Sequence, residues 1–339
     1  LCRALAIGIA FSIEPAAAMA HEPVRLIFDT DIGNDIDDVL ALGLIHALKS
    51  RGECDLLAVT ISKDNRYSAP FVDLVNTFYG RGDIPIGVVR DGKTPEDGRY
   101  TREMVLAMDG DRQRWPHDLK DGRDAPEAVG LLRQVLARQP DQSVALVVVG
   151  FSTNIARLLD SPGDEHSPLG GRELCQRKCR LLSMMGGMFT STGRHKEYNV
   201  YTDSAAARKV FEQWPGQIVV SGYEVGAFIH YPAWSIEREF NYVPHHPLKA
   251  AYELYQKMPY HRETWDLTSV LYAVRPEHEY FGLSEPGRIS IDDADITQFS
   301  TSGKNHRHLT LSLEKGIRAA EAFRLLVSQP PLRSPTPTN

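Results

Sequence analysis

The sequence predicts an open, mostly parallel α/β sheet with helices on both faces, and three observations carry that expectation. Short aliphatic and β-branched runs alternate with helical patterns along most of the chain. Several of the runs are apolar at almost every position, as in strands covered on both faces. A chain of 339 residues, 42% hydrophobic, can bury a sizeable core, enough for one large α/β domain or two ordinary ones.

The elements follow in order. Strands are read at residues 24–31 (VRLIFDTD), 54–62 (CDLLAVTIS), 84–89 (IPIGVV), 143–150 (SVALVVVG), 180–187 (RLLSMMGG) and 216–222 (GQIVVSG). Helical patterns lie between them at 37–50, 126–138 and 204–214. Strand, helix, strand in repeated order demands right-handed crossovers, hence a largely parallel sheet. Residues 90–123, dense in Gly, Asp and Arg, read as an insertion. From 289 onward ISIDDADITQFSTSGKNHRHLTLS alternates and is read as a terminal hairpin turning at SGKN. A last helix is expected at 316–328, before a Pro-rich tail, QPPLRSPTPTN, expected to be disordered.

The ends and the composition bound the class of protein. Arg3, the apolar stretch 4–13 and AAAMA read as the remnant of a secretory signal with a cleavage site after Ala20. The organisation expected is therefore a signal remnant at 1–20, an α/β domain at 21–328 and a tail at 329–339. The stretch is too short to span a bilayer, so the mature protein is expected to be soluble and exported, periplasmic or secreted. A formal net charge of -6 without a Lys/Arg run argues against nucleic acid as a partner and leaves small molecules. Cys54 reads as a small buried thiol. Cys175 and Cys179 form a C-x-x-x-C that an oxidising compartment could close, and no second Cys or His pair stands nearby at zinc-site spacing.

The most informative stretch is FDTDIGNDIDDVLAL, residues 28–42, with five aspartates between Asp29 and Asp38. Asp29 and Asp31 fall at the carboxyl end of the first strand, Gly33 permits a tight turn, and Asp37 and Asp38 occupy the first turn of the next helix. Open α/β sheets bind ligands at such a place. A plain alternative is that Asp35 caps the helix while Asp37 and Asp38 complement its dipole, each contributing about 0.3–1 kcal/mol. Five clustered carboxylates exceed that explanation, because they repel one another unless a cation or a hydrogen-bonding ligand compensates. All-oxygen donors favour a hard cation, with Ca²⁺ first. An EF-hand fails, since Asn34 and Leu40 stand where Gly and Glu are required. A D-x-D after a strand also opens phosphatases of the haloacid dehalogenase type, with the first Asp as nucleophile, but their downstream Lys and acidic motif are not evident.

Further strand ends carry KDN (63–65), FSTN (151–154), MGG (185–187) and KEYN (196–199), and TWDLTSV (264–270) follows late in the chain. With these, the sequence resembles the nucleoside hydrolases of the inosine-uridine-preferring type, in order from about Val24 to Val274. The resemblance implies the Rossmann-like nucleoside hydrolase fold and hydrolysis of the N-glycosidic bond of a purine or pyrimidine ribonucleoside. It implies a Ca²⁺ cofactor held by Asp31, Asp38, Asp266 and the Thr153 carbonyl, with Asp31 also the general base. It assigns ribose contacts to Asp37, Asn65, Met185, Glu197 and Asn199, and sugar contact to Asp266 as well. Homo-oligomers, dimers or tetramers, are what the family suggests. Residue by residue, plainer roles stay open: Met185 as a core filler, Asn65 and Asn154 as loop or turn residues, Asp266 as an N-terminal helix acid.

Three departures stand out. The turn between Gly33 and the DD pair is two residues longer than in the best-known members. Trp265 stands before Asp266 where the family has a His that serves the leaving base, and no Asn lies between Met188 and Lys196 for the ribose 5'-hydroxyl. Trp265, Tyr198, Tyr201 and His195 are the candidates for contacting the base. The competing class is a non-catalytic Ca²⁺-dependent sugar or nucleoside binder, which keeps the metal and ribose residues without needing a base.

Overall fold

The computed structural model describes residues 22–190 and 195–332; the stretch read as a signal remnant and the last seven residues of the expected tail lie outside the described residues. The chain opens with β1 (Val24–Thr30), α1 (Asp37–Ser50), β2 (Cys54–Lys63), α2 (Ser68–Phe78) and β3 (Ile86–Lys93). It continues through α3 (Thr101–Leu106), the short strands β4 (Met108–Asp109) and β5 (Arg112–Gln113), α4 (Ala128–Ala137) and β6 (Val144–Val148). Next come α5 (Thr153–Asp160), α6 (Gly171–Lys178), β7 (Cys179–Met185), α7 (Tyr198–Thr202), α8 (Ser204–Gln213), β8 (Ile218–Ser221), α9 (Tyr223–Phe228), β9 (His230–Tyr231), α10 (Ala233–Glu239) and α11 (Pro247–Tyr255). The last part holds β10 (Arg262–Glu263), α12 (Trp265–Val274), β11 (Gly282–Leu283), β12 (Arg288–Ile291), β13 (Thr297–Ser300), β14 (His306–Thr310) and α13 (Leu313–Val327).

Eight strands form one sheet in the order β11-β14-β8-β7-β6-β1-β2-β3, and only β11 runs antiparallel to its neighbour. Chain order leaves β1 towards β2 and β3 on one side and towards β6, β7 and β8 on the other. The gap beyond the carboxyl ends of β1 and β6 is therefore a topological switch point, where sheets of this kind leave a crevice.

Side-chain alternation builds the core. Leu26 and Phe28 of β1 join an apolar cluster with α1, α2, α12 and α13, while Ile27 joins a second cluster with α4, α5, α6 and α8. Both clusters are fully buried at these positions. Each such side chain contributes about 1.5–3 kcal/mol. The strand ends are drawn together by Gly150, whose place an added Cβ could not share, since it would lie 2.4 Å from the Asp31 nitrogen.

Helix α1 spans the expected residues, but Asp35 does not cap it: the N-cap is Ile36, without a side-chain cap hydrogen bond. Among the described residues no helix is long and apolar enough to cross a membrane. Cys54, Cys175 and Cys179 are buried free thiols, the last two where α6 hands over to β7.

The terminal hairpin differs from the expectation. β12 and β13 pair antiparallel around Asp292–Ile296, not around SGKN, with Asp292 Oδ1 accepting from the Ala294 and Ile296 amides. After SGKN the chain enters the main sheet as β14, parallel to β8. The final helix also starts earlier, at Leu313, because Ser312 Oγ accepts from the Lys315 amide and caps it. The insertion is no idle loop. Gly98 lies against Gly33, where a Cβ would meet the Gly33 oxygen at 2.1 Å, so residues 94–100 roof the aspartate turn.

Candidate active site

Four strand ends deliver residues to one cleft of about 600 Å³: Asp31 after β1, Lys63 of β2, Val149 after β6 and Met185 of β7. Three helix N-termini add to it: Asp37 and Asp38 from α1, Tyr198, Asn199 and Tyr201 from α7 with Glu197 as its N-cap, and Trp265 and Asp266 from α12.

Asp37, Asp38 and Asp266 converge, buried, with one carboxylate oxygen of each within 4.8 Å of the others. The Asp266 amide donates to Asp37 Oδ2 at 3.0 Å, and the Thr30 hydroxyl donates to Asp38. Burial, then mutual repulsion, pushes all three carboxyls well above the ordinary range. A group of buried oxygens whose negative charge is this costly fits a hard cation. Asp31 stands beside this triad rather than within it. Its Oδ2 accepts from Asn34 Nδ2 at 2.7 Å, and burial pushes its carboxyl up to about 6.

Asp29, the other half of the D-x-D, belongs to the core. It is fully buried, and its Oδ2 accepts from the Thr60 hydroxyl at 2.6 Å and from Asn154 Nδ2 at 2.8 Å. It does not line the cleft. A phosphatase nucleophile at that position has no access to substrate, so the haloacid dehalogenase alternative falls.

Met185 and Asn199 meet at the cleft floor, where Asn199 Nδ2 donates to the Val149 carbonyl at 2.7 Å and sits 3.2 Å from the Met185 sulfur. Glu197 is buried and accepts from the amides of Gly187, Asn199 and Val200. Burial outweighs these donors and raises its carboxyl to about 7. Two expected residues lie elsewhere. Asn65 spends its amide nitrogen on the Pro95 and Glu96 carbonyls and on Asp97, so it braces the roof instead of lining the cleft. Thr153 opens α5, its hydroxyl donates to Asp203, and it borders a separate shallow pocket. Val149, four positions earlier, does line the cleft, and its carbonyl accepts from Asn199 there.

The opposite wall is aromatic. Trp265 stacks on Tyr223 with ring centroids 5.5 Å apart, and its Nε1 donates to the Tyr223 carbonyl at 2.9 Å. His195 lies against the other partner, its ring 4.6 Å from that of Tyr223. Tyr198 and Tyr201 stand perpendicular to one another at the mouth, both about two-fifths exposed. Arg262 was missed by sequence reasoning: its guanidinium lies 5.1 Å from the Trp265 ring centroid and is held by Asp35. Its only signal was its place three residues before Trp265. Tyr223 and Val149 gave no signal of their own.

With the geometry in hand, known proteins can be set beside it. The curated relatives include pyrimidine-specific ribonucleoside hydrolases RihA from Citrobacter koseri, 29% identical over 59% of this chain and 60% of that protein, and from Shewanella baltica, 32% identical over 56% and 55%. The chain thus spans well under two-thirds of these relatives' length. Among solved structures, a plant nucleoside hydrolase, PpNRh1, superposes with a TM-score of 0.63 at 22% identity, covering 91% of this chain and all of the other. A purine-preferring ribonucleoside hydrolase from Gardnerella vaginalis gives a TM-score of 0.67 at 17% identity, covering 90% and 98%. At such identities these likenesses establish the fold. The family model described as "Inosine-uridine preferring nucleoside hydrolase" matches residues 26–321, from the strand that carries Asp31 to the last helix. The chain belongs to the inosine-uridine preferring nucleoside hydrolase family.

Proposed function

We propose that the protein hydrolyses the N-glycosidic bond of ribonucleosides or related N-ribosides to free base and ribose, with Ca²⁺ as cofactor. The carrying observation is the buried convergence of Asp37, Asp38 and Asp266, with Asp31 beside them on one cleft. Asp37, Asp38, Asp266 and the Val149 carbonyl would hold the ion, with Asp31 close enough to share it or the water next to it. When bound, Ca²⁺ supplies a Lewis acid that lowers the pKa of a water and grips the sugar diol. Asp31 takes the proton of the attacking water, a task suited to a carboxylate in a cleft. Asn199, Met185 and Glu197 shape the sugar floor, and the surrounding carboxylates stabilise the positive charge that develops on the ring as the bond to the base breaks. The Trp265 wall faces the base.

The reading extends to an exported protein, on the signal-like residues 1–20, and to a homo-oligomer, dimer or tetramer, on family membership. The test is release of ribose from a panel of purine and pyrimidine nucleosides, before and after chelation. Ribose release that chelation abolishes and Ca²⁺ restores is the expected result. Tight nucleoside binding without any release would replace the hydrolase by a binding protein.

A further inference from the structure

The charges around the cleft do not balance. Among the described residues eight carboxylates line it, Asp31, Asp35, Asp37, Asp38, Glu96, Asp97, Glu197 and Asp266, against the four cations Lys63, Arg99, Lys196 and Arg262. A divalent ion at the carboxylate triad still leaves an excess of negative charge. Each of these four cations also has a partner of its own. Lys63 Nζ donates to Asn34 Oδ1 at 2.8 Å and to the Thr94 carbonyl at 2.6 Å. Arg262 is spent on Asp35, Arg99 leans on the Tyr255 ring and donates to the Tyr255 carbonyl, and Lys196 lies 3.6 Å from Asp295. Glu96, by contrast, is exposed at the roof and takes no hydrogen bond or ion pair through its carboxylate among the described residues.

The same cleft is rich in aromatic faces and poor in proton donors at its wall. Tyr198, Tyr201, Tyr223 and Trp265 present rings to it. The indole N–H of Trp265 is engaged by Tyr223 and is not acidic at working pH. Burial pushes the Tyr198 phenol up to about 12, which makes it a weaker acid still. An electronegative cavity lined with aromatic rings attracts an organic cation, by charge at a distance and by cation–π contact at close range.

We propose that this cleft selects ribosides whose heterocycle is already cationic at the glycosidic nitrogen or conjugated to it, such as a pyridinium riboside or an N7-alkylated purine nucleoside. The inference rests on the hydrolase reading for its chemistry and on the charge and ring arrangement for its selectivity. In the reaction the C1'–N bond breaks and its electron pair returns to the ring, which cancels the ring's positive charge. The heterocycle leaves neutral and needs no proton. The water oxygen bonds to C1', and its proton goes to Asp31. The Trp265 wall, which lacks the acid of the family's usual His, then costs such a substrate nothing.

The experiment uses the full chain loaded with Ca²⁺ and two uncleavable probes, the carbocyclic ribosides of pyridinium-3-carboxamide and of benzamide, which differ by one N⁺ for C. Calorimetric titration is expected to show the cation bound about tenfold tighter or more at low salt, with the preference falling as salt rises. In Glu96→Gln, which changes the exposed roof carboxylate that has no partner among the described residues, the ratio of the two affinities shrinks by about twofold or more. Equal affinity for the two probes, or a preference untouched by both salt and Glu96→Gln, overturns the proposal. Nicotinamide release from nicotinamide riboside is measured alongside. A retained preference for the cation with no release from any riboside sinks the hydrolase reading and leaves the charge selection standing.

Discussion

Arg262 grips Asp35 with two nitrogens, Nε to Oδ1 at 2.9 Å and a terminal nitrogen to Oδ2, across 227 positions of sequence. The pair ties the long turn between Gly33 and Asp37 to the strand-like residues just before Trp265. Both side chains are mostly buried, with 19% and 28% of their surfaces exposed. Removing either partner strands the other's charge. Arg262→Ala and Asp35→Ala are each expected to lower stability and activity, and the double variant should be far less impaired than the sum. A double-mutant cycle that reads a coupling of about 1 kcal/mol or more supports the tie; additive effects dismiss it.

The carboxylates should divide by role. Asp38→Asn and Asp266→Asn are expected to release the metal, read as loss of stoichiometric Ca²⁺ by elemental analysis. Asp31→Asn should keep most of the metal and lower the chemical step by about 100-fold or more, as loss of a general base does. Equal, mild effects from all three substitutions would return these residues to helix-dipole acids.

Trp265 makes leaving-group chemistry the lever. A rate series on ribosides with leaving groups of graded pKa should be steep for the wild type and flatter for Trp265→His, which restores a proton donor before Asp266. A flat series in the wild type would mean that another acid, such as His195, serves. No change in slope on substitution would leave the indole as packing.

His46 by itself makes stability fall on mild acidification, against the raised cleft carboxyls, which in the metal-free protein act in the opposite direction. The ring is fully buried, pairs with Asn76 at 2.9 Å, and faces an Arg81 nitrogen at 3.0 Å from Nδ1. Burial, then Arg81, pulls its pKa down to about 3. The unfolded chain takes up that proton near pH 6.5 and the folded one does not, so stability is lost as pH falls from about 6.5 towards 3. The slope is about 1.4 kcal/mol per pH unit for one such group. His46→Leu should be less stable at neutral pH, yet lose less between pH 6 and pH 4, by denaturant titration at each pH. Parallel slopes for the two proteins would contradict the assignment.

Gly150→Ala tests the contact between strand ends. The new Cβ would press on the Asp31 amide at 2.4 Å and on Ser62 Oγ at the same distance. A loss of roughly 1–3 kcal/mol is expected, with a drop in turnover because Asp31 moves. An unchanged melting temperature would show that the strand ends can part without cost.

The carboxylates were legible in the sequence because each carries its own chemistry and stands at a strand end or a helix start. Asp31, Asp37 and Asp38 share one stretch that the alternation of elements sets at a strand end and a helix start, whereas Asp266, late in the chain, joined them only through the family resemblance. Val149 could not be read, because the contribution proposed for it is a main-chain carbonyl that every residue owns; Thr153, expected in that role, opens α5. Asn65 was at the right strand end, but its direction depends on the roof at 95–97, which offers it three acceptors. The same limit applies to β14. Its alternation showed a strand, while its parallel partner β8 lies far earlier in the chain, His306 pairing with Ile218, and nothing local names it.

The roof also has a consequence for how this protein can change. The Tyr100 hydroxyl accepts from the Gly33 amide at 2.9 Å and donates to the Asp35 carbonyl at 2.6 Å, while Gly98 leaves just enough room for the Gly33 backbone. Turn and roof are thus a matched lock and key within one chain. Deleting two residues from the turn, to the length of the best-known relatives, would take the Asp35 carbonyl from the tyrosine's reach. The two segments constrain each other, and a variant that shortens the turn and replaces Tyr100 together should fold better than one that shortens the turn alone.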